Sequence, residues 1–178
     1  MAGGGLDRRG LLGGLAAGGA ALGAGGGALA ADLPAGPRAV PVYQAVALLE
    51  ERVPHGTTPY GERFRVPIIG GSFEGPDLKG RIVPGGADWQ LLRGDGYLEL
   101  VADYYMETDD KVLIKVTNRG LIQTAPGPDG KRYAMTTPHF EAPMGKYGWL
   151  NQFVFAGTVA PGAAGKAPSV NLSIFKLV

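Results

Sequence analysis

From Glu62 to the C-terminus, apolar side chains recur in short runs broken by Gly, Pro, Asn and Asp, the pattern of strands joined by tight turns. Glu62 to Ile69 and Leu78 to Val83 are two such runs, bounded by Gly70-Gly71, Gly75-Pro76 and Pro84-Gly85-Gly86. Trp89 to Arg93 and Tyr97 to Glu107 flank Gly94-Asp95-Gly96, a hairpin signal, and Lys111 to Ile122 follows a second turn, Thr108-Asp109-Asp110. Tyr133 to Phe140, Trp149 to Val159 and Val170 to Leu177 complete the series. Val42 to Arg52 is ambiguous: its Ala, Leu, Gln and Glu favour helix, while Val42, Gln44, Val46 and Leu48 alternate against Tyr43, Ala45, Ala47 and Leu49. Roughly eight to ten strands in about 140 residues, with no helical pattern between them, predict an antiparallel barrel or sandwich.

Alternation also assigns faces. Along Tyr97 to Glu107, Tyr97, Glu99, Val101, Asp103, Tyr105 and Glu107 share one side, and Leu98, Leu100, Ala102, Tyr104 and Met106 the other. The first set reads as the solvated outside. Glu107 ends its strand, where the mouth of a barrel would lie.

The first thirty residues follow a different rule. Asp7-Arg8-Arg9-Gly10-Leu11-Leu12 opens a stretch of Leu, Ala and Gly that closes on Ala28-Leu29-Ala30, the small-x-small pattern of a signal-peptidase site. Arg8 and Arg9 followed by two leucines resemble a twin-arginine export signal, which implies passage through the twin-arginine export machinery to a bacterial periplasm. The expected organisation is a cleavable signal over residues 1–30, a Pro/Gly-rich linker over 31–38 and one β domain over 39–178.

Composition narrows the chemistry. The net charge of +1 is carried by the export segment, so the remainder is neutral, without a basic run to bind nucleic acid. There is no cysteine and there are only two histidines, His55 and His139, which argues against disulfides, thiolate nucleophiles and a histidine-rich metal site. No cofactor motif is present: Gly70-Gly71 is not a phosphate loop, and Ser72 lacks the spacing of a nucleophile elbow.

Carboxylates, Arg, Tyr and Trp must therefore supply any chemistry. In Pro84-Gly85-Gly86-Ala87-Asp88-Trp89, an aromatic wall could desolvate Asp88 and lift its pKa toward the general-acid range; equally, Asp88 could accept backbone N–H bonds at a turn while Trp89 plugs the barrel. Arg119 could fix an anionic or carbonyl group, or brace the barrel end by pairing with Glu107 or Glu141. His139 reads as a solvated edge residue. Trp149 and Asn151 alternate with Phe153 and Phe155, as pocket lining with one polar handle or as core, and Tyr147 and Lys146 would complete a polar rim.

Several of these segments also form a set. Val66-Pro67-Ile68-Ile69-Gly70-Gly71-Ser72-Phe73-Glu74-Gly75-Pro76, Gly80-Arg81-Ile82-Val83-Pro84-Gly85-Gly86-Ala87-Asp88-Trp89, Glu107-Thr108-Asp109-Asp110, Asn118-Arg119-Gly120, Phe140-Glu141 and Trp149-Leu150-Asn151, in this order, resemble the family known as domain of unknown function 3237. The resemblance spans Ala39 to Val178 and implies a single antiparallel calycin-like β-barrel with a central pocket, in which Val42 to Arg52 is the first strand. The export segment and the insertion Pro126 to Lys131 depart from the family pattern. The few members with a known activity are similar to ring-closing catalysts that add an internal hydroxyl across an alkene.

Two function classes follow. One is a cofactor-independent lyase, isomerase or cyclase acting on a small apolar or aromatic molecule, with Asp88 or Glu107 moving a proton and Trp89, Arg119, Glu141, Tyr147, Trp149 and Asn151 binding the substrate. The other is a non-catalytic, lipocalin-like periplasmic carrier of a hydrophobic ligand. The two differ in whether a carboxylate faces open pocket volume. Barrels of this size can also pair through exposed strands, which makes a homodimer a candidate assembly.

Overall fold

The structure, a computed structural model, describes residues 35–163 and 167–178. The expected signal, with Arg8 and Arg9, and the first half of the linker, residues 31–34, lie outside the described residues.

Among the described residues nine strands form one antiparallel sheet: β1 (Ala39–Leu49), β2 (Val53–Thr58), β3 (Gly61–Glu74), β4 (Lys79–Leu92), β5 (Tyr97–Thr108), β6 (Leu113–Gln123), β7 (Ala134–Glu141), β8 (Phe155–Pro161) and β9 (Ser169–Leu177). From β3 to β9 each strand pairs with the next; β9 then pairs with β1, and β1 with β3. That last pairing closes eight strands into a barrel and leaves β2 as a flap on the outer edge of β3. Closure removes the free edges that an open sheet would expose. The fold expected from the sequence is therefore present.

Residue choice explains the closure. In β1, Tyr43, Ala45 and Ala47 point into the core while Val46 and Leu48 remain partly exposed, so burial of one face overrides the helix propensity of this segment. Gly70-Gly71 and Pro84-Gly85-Gly86, which the sequence places in turns between strands, instead lie inside single long strands. The β3–β4 register breaks between Ile68 and Ser72, and the β4–β5 register between Val83 and Ala87, so these are bulges at which the sheet bends. Gly71 has φ of 137°, and a Cβ there would lie 2.0 Å from the Val46 carbonyl oxygen. No other residue fits that position without moving the backbone.

One end of the barrel is filled. Tyr43, Phe73, Ile82, Met106, Ile114, Phe140 and Phe155 pack together, with edge-to-face ring contacts of 5.8 Å for Tyr43–Phe73 and 4.9 Å for Phe140–Phe155. A short 3-10 helix (Gly148–Gln152) lies across this end and inserts Leu150, which is 1% exposed. The strand expected over Trp149 to Val159 is thus a helical turn followed by β8. Among the described residues no helix is long and apolar enough to cross a membrane.

Candidate functional site

The other end is open, and the register shows what lines it. One row across the sheet runs Val66, Asp88, Ala102, Asn118, Pro138. The next inward row, toward the mouth, runs Gln90, Leu100, Gly120, Thr136, Gly157. Ala102 is small enough to leave space beside the polar side chains, while Gly120 and Gly157 let Leu100, Thr136 and Ile174 pack closely into the wall. The result is a cavity of about 90 Å³ with Asp88, Gln90, Asn118, Thr136 and Tyr104 among apolar neighbours such as Ile68, Leu100 and Leu172. It continues into a mouth of about 860 Å³, with which it shares Leu49, Gln90, Ile122, Val159 and Val170.

Asp88 is the charge-bearing group at the bottom, 8% exposed. Its Oδ2 accepts from the Gln90 amide at 2.7 Å. Its Oδ1 has no protein partner, and neither do Gln90 Oε1, Asn118 Oδ1 or Thr136 Oγ1. Four buried oxygens without partners around one cavity are unusual, because each costs desolvation unless a ligand or water bonds it. Burial raises the Asp88 pKa above the ordinary carboxylate value; the Gln90 hydrogen bond, the charge of Arg52 and the backbone N–H of Val101 oppose the shift without cancelling it. Tyr104, beneath, is also raised by burial, with Tyr43 beside it acting in the opposite sense.

The residues expected around this carboxylate are distributed elsewhere. Trp89 alternates with Asp88 and so points outward, 46% exposed, its ring 5.9 Å from His55 of β2. Arg119 is exposed on the outer face, in the row Trp89, Val101, Arg119, Thr137. Glu107 lies at the closed end: Arg81 grips it through Nη2–Oε2 at 2.8 Å and Nε–Oε1 at 3.3 Å, and Lys111 adds a contact at 3.0 Å. These bonds hold its pKa down to about 2, which suits a brace and not a proton donor near neutral pH. The partner of Glu107 is thus Arg81, not Arg119.

The remaining expected residues also serve the closed end. Asn151 clamps the backbone of Ala142, accepting from its N–H at 2.8 Å and donating to its carbonyl at 2.9 Å. The Tyr147 hydroxyl donates to Asp110 at 2.8 Å; Lys146 and Thr108 donate to the same carboxylate at 2.9 and 2.6 Å, and together they depress its pKa. Trp149 packs on Phe155 with Lys176 over its ring, and Glu141 is exposed opposite Lys115. Of the eight expected site residues, the cavity contains Asp88 alone. Gln90, Asn118, Thr136 and Tyr104 are what the sequence reading passed over, although strand alternation from Asp88 and from Val116 points to the first two. Among the described residues no group of three or more His, Asp or Glu side chains is placed to hold a metal ion.

Residues 37–177 match the protein family of unknown function DUF3237. The chain belongs to this family. It is 32% identical over 130 residues to the UPF0311 protein RPA1785 of Rhodopseudomonas palustris, covering 67% of this chain and 85% of that protein. The β-barrel-like protein of Acinetobacter baumannii superposes with a TM-score of 0.72 at 31% identity, over 83% of this chain and 99% of that one. An enzyme from Penicillium herquei shares the fold with a TM-score of 0.65 at 20% identity, over 82% of this chain and 98% of that one.

Proposed function

We propose that this DUF3237 barrel binds a small, largely apolar or aromatic molecule in its open end and transfers a proton on it through Asp88, without a cofactor. The observation that carries the reading is the Asp88 carboxyl: buried, with Oδ1 unpartnered, facing a cavity that opens to a wide mouth. A carboxyl shifted upward by desolvation sits nearer the operating pH, where it can both give and take a proton. In the protonated acid, Oδ1 can donate to a ligand carbon or oxygen; in the carboxylate it can accept from a ligand hydroxyl. Asn118 and Thr136 are placed to hold ligand oxygens, the task that Arg119 and Asn151 were expected to perform. Gln90 fixes the carboxyl through Oδ2 and leaves Oδ1 free. A carrier would not need a buried, partly unpartnered acid at the bottom of its pocket, so the lyase, isomerase or cyclase reading is preferred. Export through the twin-arginine machinery belongs to the same proposal, on the pattern Arg8-Arg9-Gly10-Leu11-Leu12.

Native mass spectrometry of the purified full chain would identify what the barrel retains. Turnover of that compound should fall by about 10²-fold or more in Asp88→Asn, with binding kept, since that is the usual contribution of a positioned acid or base. Undiminished turnover in Asp88→Asn would overturn the assignment.

A further inference from the structure

Two guanidinium groups, Arg52 and Arg132, line the mouth above Asp88. Among the described residues neither lies within ion-pair distance of a carboxylate, whereas Arg81 and Arg93 elsewhere on the barrel are both paired. Arg52 is held instead by an aromatic face, its guanidinium carbon 4.5 Å from the Phe64 ring centre. Stacking orients the planar fork and leaves its N–H groups free to bond in plane. Between these forks and Asp88 the walls are mainly apolar, through Leu49, Ile122, Val159 and Val170, with Gln90 the polar residue among them.

The rim also carries Glu50 and Glu51, so its formal charge is zero. Long-range attraction cannot then select a ligand, and any charge preference must come from short, directional bonds to the guanidinium forks. We propose that the ligand is an organic acid, its carboxylate held at the mouth by Arg52 and Arg132 while its apolar body reaches inward toward Asp88. This rests on the open end being the ligand site, as read above, and adds the chemical class of what enters it. The inner oxygens are acceptors or acceptor-capable, so an anionic group is disfavoured at the bottom and is oriented outward. The two charged ends therefore set the direction in which such a molecule enters.

Isothermal titration of the full chain with 4-phenylbutyrate and with 4-phenylbutan-1-ol, matched in body and differing in the end group, tests this. At pH 7 the acid should bind at least tenfold more tightly than the alcohol. In the double variant Arg52→Gln/Arg132→Gln that preference should disappear, with the alcohol's affinity within about threefold of its original value. Equal binding of acid and alcohol to the unsubstituted chain, or a preference that survives in the double variant, overturns the organic-acid assignment and leaves the ligand site standing. Binding of neither probe overturns the ligand site itself, and the assignment with it.

Discussion

The Gln90 amide donates to Asp88 Oδ2 at 2.7 Å from two residues further along the same strand, and leaves Oδ1 as the oxygen without a protein partner. Residues i and i+2 of a strand share a face, so this contact needs no loop and no long-range partner to form. It fixes one oxygen of the carboxyl and leaves the other to react. Gln90→Leu should therefore keep the fold, yet loosen the carboxyl and reduce turnover of the retained compound by about tenfold or more, since misplacement of a catalytic group by about 1 Å can cost as much as 10²-fold. Comparison of kcat between Gln90→Leu and Gln90→Asn, which keeps an amide donor on a shorter side chain, would check that the placement of the amide hydrogen matters.

The raised pKa of Asp88 has a thermodynamic signature. Its folded-state pKa lies above the value of 3.8 for an unperturbed aspartate, so the folded chain binds this proton more tightly than the unfolded chain. Its contribution to stability is complete below the unfolded value and is lost as pH rises through the folded one. Asp88→Asn removes the dependence and keeps an acceptor for Gln90. The variant should melt at a higher temperature than the unsubstituted protein at pH 7, and the gap should narrow as the pH is lowered toward 4. Melting curves of the two proteins across that range would show it; a constant gap would mean that burial does not shift this carboxyl.

Glu107 behaves in the opposite sense. Arg81 and Lys111 hold its folded pKa down to about 2, below the ordinary glutamate value of 4.5, so its contribution is present above the unfolded value and lost as pH falls toward 2. Glu107→Gln should erase that part of the acid unfolding profile while leaving turnover at pH 7 unchanged. A thermal or urea titration between pH 5 and pH 2 separates the two carboxylates by the sign of their slopes.

Much of the fold was legible because strand alternation is a local property. The inward set Leu98, Leu100, Ala102, Tyr104 and Met106 needed only period-two counting along one strand, and β5 carries no register break that would upset it. The bulges were hidden for a physical reason: Gly70-Gly71 and Pro84-Gly85-Gly86 have the composition of turns, and only pairing with neighbouring strands distinguishes a bend within a strand from a reversal between two. The same non-local pairing decided the site. Asn118 sits on the face of Ile114 and Val116, both fully buried, so counting inward from them would have favoured Asn118 over its charged neighbour Arg119. Trp149 and Asn151 misled because a 3-10 turn replaced the expected strand, which changes the side-chain period from two to three.

The glycines in the cavity wall are already closely packed. A Cβ at Gly157 would stand 2.6 Å from both Ile174 Cδ1 and Thr136 Oγ1, and one at Gly120 would stand 2.8 Å from Thr136 Cγ2. Both glycines lie in the row between Asp88 and the mouth, and a Cβ at either would press on Thr136, which lines the cavity. Gly157→Ala is expected to destabilise the protein by about 1–3 kcal/mol, the usual cost of overpacking, measured by urea unfolding. Leu150→Ala, which empties the plug at the far end, should cost about 2–5 kcal/mol by leaving a void where a buried leucine stood. The two variants then part company in ligand binding. Gly157→Ala should weaken uptake of the retained compound beyond its effect on stability, because the Thr136 it presses on lines the cavity with Asp88. Leu150→Ala should leave affinity intact at temperatures where the fold persists, because the 3-10 helix closes the end that the ligand does not enter. Equal losses of affinity in both would place the ligand somewhere other than the open end.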